Sequence, residues 1–141
     1  MNREDFPMLN SDIVYFDNGA TTLKPKVVID KINEYYSCYT ANAHRGDYKN
    51  SLKVDEIYEG VRNKVKNFIN AKESSEIVFT SGTTDSINLV VFGFFKNILK
   101  SGDEVLITKT EHASNVLPWF DLANKKGIII KYIDLDSDYH V

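Results

Sequence analysis

Apolar positions recur with two different periods along this chain, and the period changes near residue 75. Before that point it is helical. Val28, Ile32, Tyr35, Tyr36 and Tyr39 stand at i, i+4, i+7, i+8 and i+11, one face of a helix whose first turn lies near Pro25. Val54, Ile57, Tyr58, Val61, Val65, Phe68 and Ile69 line one side of a second helix, leaving Asp55, Glu56, Glu59, Arg62, Lys64 and Lys66 mostly to the other, with Ser51 placed as a cap. From Glu76 onward short β-rich runs alternate with helical stretches. Strands are predicted over 76–80, 104–108 and 128–133, a helix over about 86–99, and another over about 116–126 that Gly127 stops. The 86–99 helix is apolar nearly all round and is expected to be buried on more than one side. Strand and helix in alternation are the signature of βαβ crossovers around a mostly parallel sheet, so the expected class is α/β. The chain divides into an N-terminal segment with two amphipathic helices, 1–74, and the start of an α/β domain, 75–141.

Composition narrows the classes without choosing among them. At 141 residues there is room for about one domain. With 43% hydrophobic and 26% charged residues the chain should bury a core. A net charge of −3 is too balanced for a nucleic-acid or anionic-membrane surface, so neither partner is expected. The longest apolar stretch, 87–99, is broken by Asn88, Lys96 and Asn97 and falls short of the ~20 residues of a membrane span. Mixed charge at the N-terminus, with no apolar run behind it, fits neither a secretory signal nor a transit peptide, and makes the cytoplasm the default compartment. Cys38, the single cysteine, excludes an internal disulfide and a cysteine-based zinc site, and no metal site is expected. It falls on or near the tyrosine face of the first helix and reads as core.

Three segments carry candidate chemistry. In Thr80-Ser81-Gly82-Thr83-Thr84 a predicted strand hands over to a helix, aiming free backbone N–H groups and the positive helix end at one point. Gly82 permits close backbone approach, and the Ser81, Thr83 and Thr84 hydroxyls can donate to an anion such as phosphate. No lysine follows the glycine, so this is not a P-loop. The same turn also reads as an ordinary N-cap with Thr83 or Thr84 capping. Glu111-His112-Ala113-Ser114-Asn115 follows the second strand, at the carboxyl edge where open α/β sheets bind ligands. His112 could stack on an aromatic cofactor or shuttle a proton, or simply bond a neighbouring carbonyl in its loop. In Asn42-Ala43-His44-Arg45-Gly46-Asp47, Arg45 could fork onto a carboxylate or phosphate, or pair with Asp47 in a solvated loop.

In order and flavour these segments resemble the class V aminotransferase family of pyridoxal-phosphate enzymes, specifically the SUF-type cysteine desulfurases and selenocysteine lyases. The resemblance is carried by residues 15–25 (Tyr-Phe-Asp-Asn-Gly-Ala-Thr-Thr-Leu-Lys-Pro), 42–46, 79–88, and 102–105 through 111–119. It implies the first βαβαβ part of the large domain of PLP fold type I, preceded by the helical segment. It implies further that Gly82, Thr83 and Thr84 hold the phosphate of pyridoxal 5'-phosphate and that His112 stacks over its ring. By the same resemblance Ala20 and Thr21 border the substrate carboxylate, while His44 and Arg45 approach the active site, that of the partner subunit in a homodimer. The implied activity converts L-cysteine to L-alanine and an enzyme persulfide, for a sulfur-acceptor protein in iron–sulfur cluster assembly or another sulfur-transfer route. Other class V activities (selenocysteine lyase, kynureninase-like, aminotransferase) and a non-catalytic dimerisation or binding remnant are the alternatives.

The chain departs from the family pattern at Asp47-Tyr48-Lys49-Asn50-Ser51, where an apolar, hydroxyl-rich stretch is usual, and more mildly at Asp17-Asn18-Gly19-Ala20. In the family the cofactor lysine, the aspartate on the pyridinium nitrogen, the arginine for the substrate carboxylate and the mobile-loop cysteine lie beyond the last residue here. No catalytic residue is therefore assigned to this chain, and it is expected to be inactive alone. Three charge-assisted phosphate contacts at about 1.5 to 3 kcal/mol each, against an association cost of about 4 to 15, predict weak or negligible cofactor affinity. Strand 76–80 is expected to lack sheet neighbours and helix 86–99 to be partly uncovered, leaving the isolated chain poorly soluble or loosely packed.

Overall fold

The computed structural model describes residues 2–138 and 140. Two compact units divide it, Met1–Ile77 and Val78–Val141.

In the first unit, 3-10 turns at Arg3–Asp5 and Pro7–Leu9 precede an extended stretch, which Arg3 ties down by donating to the carbonyls of Ser11 and Ile13. Helix α1, Lys26–Glu34, starts directly after Pro25 and widens into a π-helical turn over Tyr35–Tyr39. Tyr39 is buried, with the Lys53 ammonium 3.9 Å above its ring. Cys38, expected in the core, is exposed. The wider turn changes which position faces inward, and Tyr39 takes it. Helix α2, Lys49–Phe68, is entered from Tyr48 and not from Ser51. Ser51 is wholly buried in the first turns, where its hydroxyl donates to the Asn42 carbonyl at 3.1 Å, because a buried hydroxyl must find an acceptor. The Arg62 guanidinium donates to the Ile77 carbonyl, closing the unit.

The second unit lacks the first of its three expected strands. Ser74–Glu76 is a 3-10 turn, and among the described residues the sheet consists of two strands, neither of them from 76–80. A strand exists only where a neighbour takes its N–H and C=O groups, and here none does. Helix α3, Thr83–Asn88, continues through a π-helical segment, Leu89–Phe95, into α4, Lys96–Ile98, so the helical run begins earlier than its apolar pattern predicts. Its burial is one-sided. Val91 packs with Leu122 and Ile128 as the core, whereas Leu89, Val90, Phe94 and Ile98 are exposed, because nothing in this unit covers the helix's other face. Strands β1, Glu104–Thr108, and β2, Ile129–Ile133, run parallel with Glu104 opposite Ile129 and Thr108 opposite Ile133. Helix α5, Ala113–Lys126, is the crossover between them. It ends at Gly127, which takes the left-handed conformation (φ 72°) and donates its N–H to Ala123 at 2.8 Å. The α/β class with a parallel sheet is thus present as one βαβ unit.

Candidate functional site

The turn before α3 is built so that its own polar side chains point back into the chain. The Thr80 hydroxyl donates to the Gly82 carbonyl at 3.2 Å and shares a 2.7 Å hydrogen bond with Ser86. Asp85 accepts from both the N–H and the hydroxyl of Ser81 at 3.2 Å, which takes the Ser81 hydroxyl out of the set available to an anion. Gly82 is the N-cap, and no side chain caps the helix. The capping role considered for Thr83 or Thr84 is therefore absent, and the first-turn N–H groups are left to an outside acceptor. A Cβ on Gly82 would meet nothing within 4 Å, so the approach to those groups is open.

At the end of β1 the chain turns through Lys109 to Glu111 into α5, whose N-cap is His112. Ser114 N–H donates to His112 Nδ1 at 3.2 Å, and the Ser114 hydroxyl lies 2.8 Å from the same atom. In the neutral ring Nδ1 is thereby the acceptor and Nε2 carries the proton. This cap also explains why α5 begins at Ala113, three residues ahead of the expected Val116. Thr84 and His112 line one open groove of about 480 Å³, together with Asn88, Phe92 and Leu117. The two turns that sequence picks out separately therefore meet.

The remaining candidates belong to the first unit. The Asp17 carbonyl accepts from the N–H groups of Ala20 (3.1 Å) and Thr21 (3.0 Å), and the Tyr15 hydroxyl donates to the Thr21 carbonyl at 2.6 Å, so both residues sit on a closed, exposed turn. His44 has φ 56°, uncommon for a residue with a Cβ, and is held there by its N–H to Asp55 Oδ1 at 2.5 Å. Its ring lies between two carboxylates, Nδ1 3.6 Å from Asp55 and Nε2 3.4 Å from Glu59, and edge-on to Tyr58. Arg45 is exposed and, among the described residues, makes no ion pair with Asp47.

One feature of the His112 turn escapes a reading confined to motifs. Glu111 accepts from Thr108 Oγ1 at 3.1 Å and Asn115 Nδ2 at 2.9 Å, and Asn115 Oδ1 accepts from Trp119 Nε1 at 3.2 Å. The i, i+4, i+8 spacing of three polar or amphipathic side chains was the available signal. Hydrogen bonds from Asn115, then Thr108, hold the Glu111 carboxyl below its ordinary 4.5. No group of three or more metal-ligating side chains occurs among the described residues. No helix among them is long and apolar enough to cross a membrane.

The fold has counterparts in known proteins. Residues 14–141 match the family model described as aminotransferase class-V, and the chain belongs to that family. The apo cysteine desulfurase of Thermococcus onnurineus NA1 superposes with a TM-score of 0.89 at 45% identity, over 95% of this chain and 33% of that one. A cysteine desulfurase of Synechococcus elongatus is 40% identical over 140 residues, 96% of this chain and 22% of the relative. A C-DES mutant with glycine covalently linked to its PLP cofactor, 22% identical, shares the fold with a TM-score of 0.77, covering 94% of this chain and 33% of that one. The chain thus spans about a third or less of the length of these proteins.

Proposed function

We propose that this chain is the N-terminal part of a PLP-dependent cysteine desulfurase, which takes L-cysteine to L-alanine and leaves the sulfur as a persulfide on an enzyme cysteine. A sulfur-acceptor protein then receives it, for iron–sulfur cluster assembly or another sulfur-transfer route, in the cytoplasm. The observation that carries this reading is the single groove lined by Thr84 and His112. Its residues fit a phosphorylated pyridine: an uncapped helix start with open space above Gly82 suits the phosphate, and an exposed imidazole across the groove suits the ring. When bound, pyridoxal phosphate supplies the electron sink that loosens bonds at the α-carbon of the amino acid.

The chain's own residues bind and orient. Backbone N–H groups after Gly82 and the Thr83 and Thr84 hydroxyls hold the phosphate oxygens. His112, its Nδ1 engaged by Ser114, presents the ring face and keeps its proton on Nε2. Ala20 and Thr21 border the substrate carboxylate. His44 and the exposed Arg45 reach toward the active site of a second subunit in a homodimer. The chain alone performs no turnover.

Titration with pyridoxal phosphate, followed by cofactor absorbance, tests the reading. Thr84→Val removes one hydroxyl donor to a charged group, worth about 1.5 kcal/mol or more, and raises the dissociation constant by about tenfold or more. His112→Ala weakens binding in the same assay. Affinity unchanged in both variants, or alanine formed from L-cysteine by this chain alone, overturns the assignment.

A further inference from the structure

We propose that Glu111, Asn115 and Trp119 are positioning residues: a side-chain ladder along the start of α5 that fixes the His112 ring in its groove. The use of that ring for a cofactor rests on the reading above, but the ladder itself is a property of the second unit. Its geometry is directional. Glu111 has only acceptor oxygens at neutral pH, since its carboxyl is held below the ordinary 4.5. It therefore takes the amide nitrogen of Asn115, at 2.9 Å, which leaves the amide oxygen for the indole N–H of Trp119, at 3.2 Å. Each bond decides the orientation of the next.

The ladder is tied down at both ends. Glu111 also accepts from Thr108, the last residue of β1, at 3.1 Å, so the turn is pinned to the strand it leaves. The Trp119 ring packs against Phe95, centroids 5.5 Å apart, on the helical run that starts at Thr83. His112 lies between Glu111 and the rest of α5, and the two contacts its Nδ1 makes, with the N–H and the hydroxyl of Ser114, are inside the same turn. The ladder thus links that turn by side chains to the strand before it and to the helical run of the Gly82 turn. All three ladder residues are half-buried, so water competes for these bonds less than on an open surface.

The chain contains three histidines, so imidazole-¹⁵N labelling gives a readable spectrum, and two-bond ¹H–¹⁵N correlations report which ring nitrogen is protonated. In the unaltered chain His112 is the Nε2–H tautomer. Glu111→Ala and Asn115→Ala release the turn and average the two His112 nitrogens toward a mixed tautomer, while the Ile129 amide, which donates to the Asp103 carbonyl at 2.8 Å in the same unit, keeps its signal and reports that this unit is still folded. Glu111→Gln, which can turn its amide oxygen to accept from Asn115 while its amide nitrogen donates to the Thr108 hydroxyl, restores the fixed tautomer. That rescue separates hydrogen-bond geometry from charge and from general destabilisation. If Glu111→Ala does not fold, Asn115→Ala and Glu111→Gln carry the comparison.

A His112 that stays in one tautomer in Asn115→Ala, or a mixed tautomer in Glu111→Gln, overturns the ladder. Pyridoxal phosphate uptake is read separately by absorbance, and in variants with a released turn the dissociation constant rises, by about tenfold for one lost contact to a charged group. Tautomers that respond as stated in a chain that takes up no cofactor uphold the ladder and defeat the cofactor reading. Uptake together with an unresponsive His112 does the reverse.

Discussion

Two helix starts face one groove, and single residues finish them differently. Gly82 brings no side chain, so the first-turn N–H groups of α3 stay available, whereas His112 turns its Nδ1 onto the Ser114 N–H and closes its own helix. A third residue, Gly127, ends α5, and there the requirement for glycine is steric. At φ 72° a Cβ would stand 2.8 Å from Ser101 Oγ. Left-handed backbone alone costs a residue with a Cβ about 1–2 kcal/mol. Gly127→Ala therefore opens the α5–β2 junction, and hydrogen exchange at the Gly127 and Ile129 amides speeds up by about 5- to 30-fold. Unchanged protection at both amides would show that this turn bears no strain. These positions are legible from sequence because glycine and hydroxyl residues at element ends have local causes. Ser51 and Cys38 are not, since the first is buried by an acceptor that arrives from Asn42 and the second is turned outward by a π-helical turn.

At the scale of elements, the start of α5 depends on a carboxylate. Because the Glu111 carboxyl is held below 4.5, the charge-assisted bonds it accepts are fully present above that value and weaken to those of a neutral acid as pH falls through the lower value of the folded chain. Trp119 is the only tryptophan and sits at the far end of this ladder, so its emission reports the weakening. Emission stays constant from neutral pH to about 4.5 and shifts only below it. In Glu111→Gln it is flat through the same window, while Asp134→Asn, which removes the other carboxylate of this unit held low, by Lys109, leaves the shift in place. A shift that begins well above 4.5, or that survives Glu111→Gln, contradicts the assignment. Elements differ in how far sequence reveals them for the same reason that this test is local. Helices α1, α2 and α5 lie near the spans read from sequence, but α2 and α5 begin earlier than expected, and Ile32, Tyr36 and Phe68 of the predicted apolar faces are exposed. Residues 76–80 carry an equally good strand pattern, but a strand is settled by its neighbours, and β1 and β2 pair only with each other.

Over the whole molecule the arithmetic of surface decides what the chain does alone. It exposes 10850 Å². A folded monomer of its mass, 16.1 kDa, exposes roughly 7,400 Å², and two separate units of half that mass together expose roughly 8,900 Å². The excess remains even when the units are counted apart. Much of it is apolar: Phe16 is 92% exposed, Phe68 90% and Val14 73%, and the helical run from Thr83 shows water a face of Leu89, Val90, Phe94 and Ile98. Both strands of a two-stranded sheet are also edges, each with a free row of N–H and C=O groups, and two strands are too few for independent stability. Apolar area of this kind favours association at about 25 cal/mol per Å² removed from water, against an association cost of about 4 to 15 kcal/mol, so copies associate by burying these faces together. The isolated chain therefore binds an apolar dye strongly, sediments with a mass that rises with concentration, and loses structure over a broad thermal range without a sharp transition. A concentration-independent monomer that unfolds cooperatively would mean that these faces are covered within the chain itself.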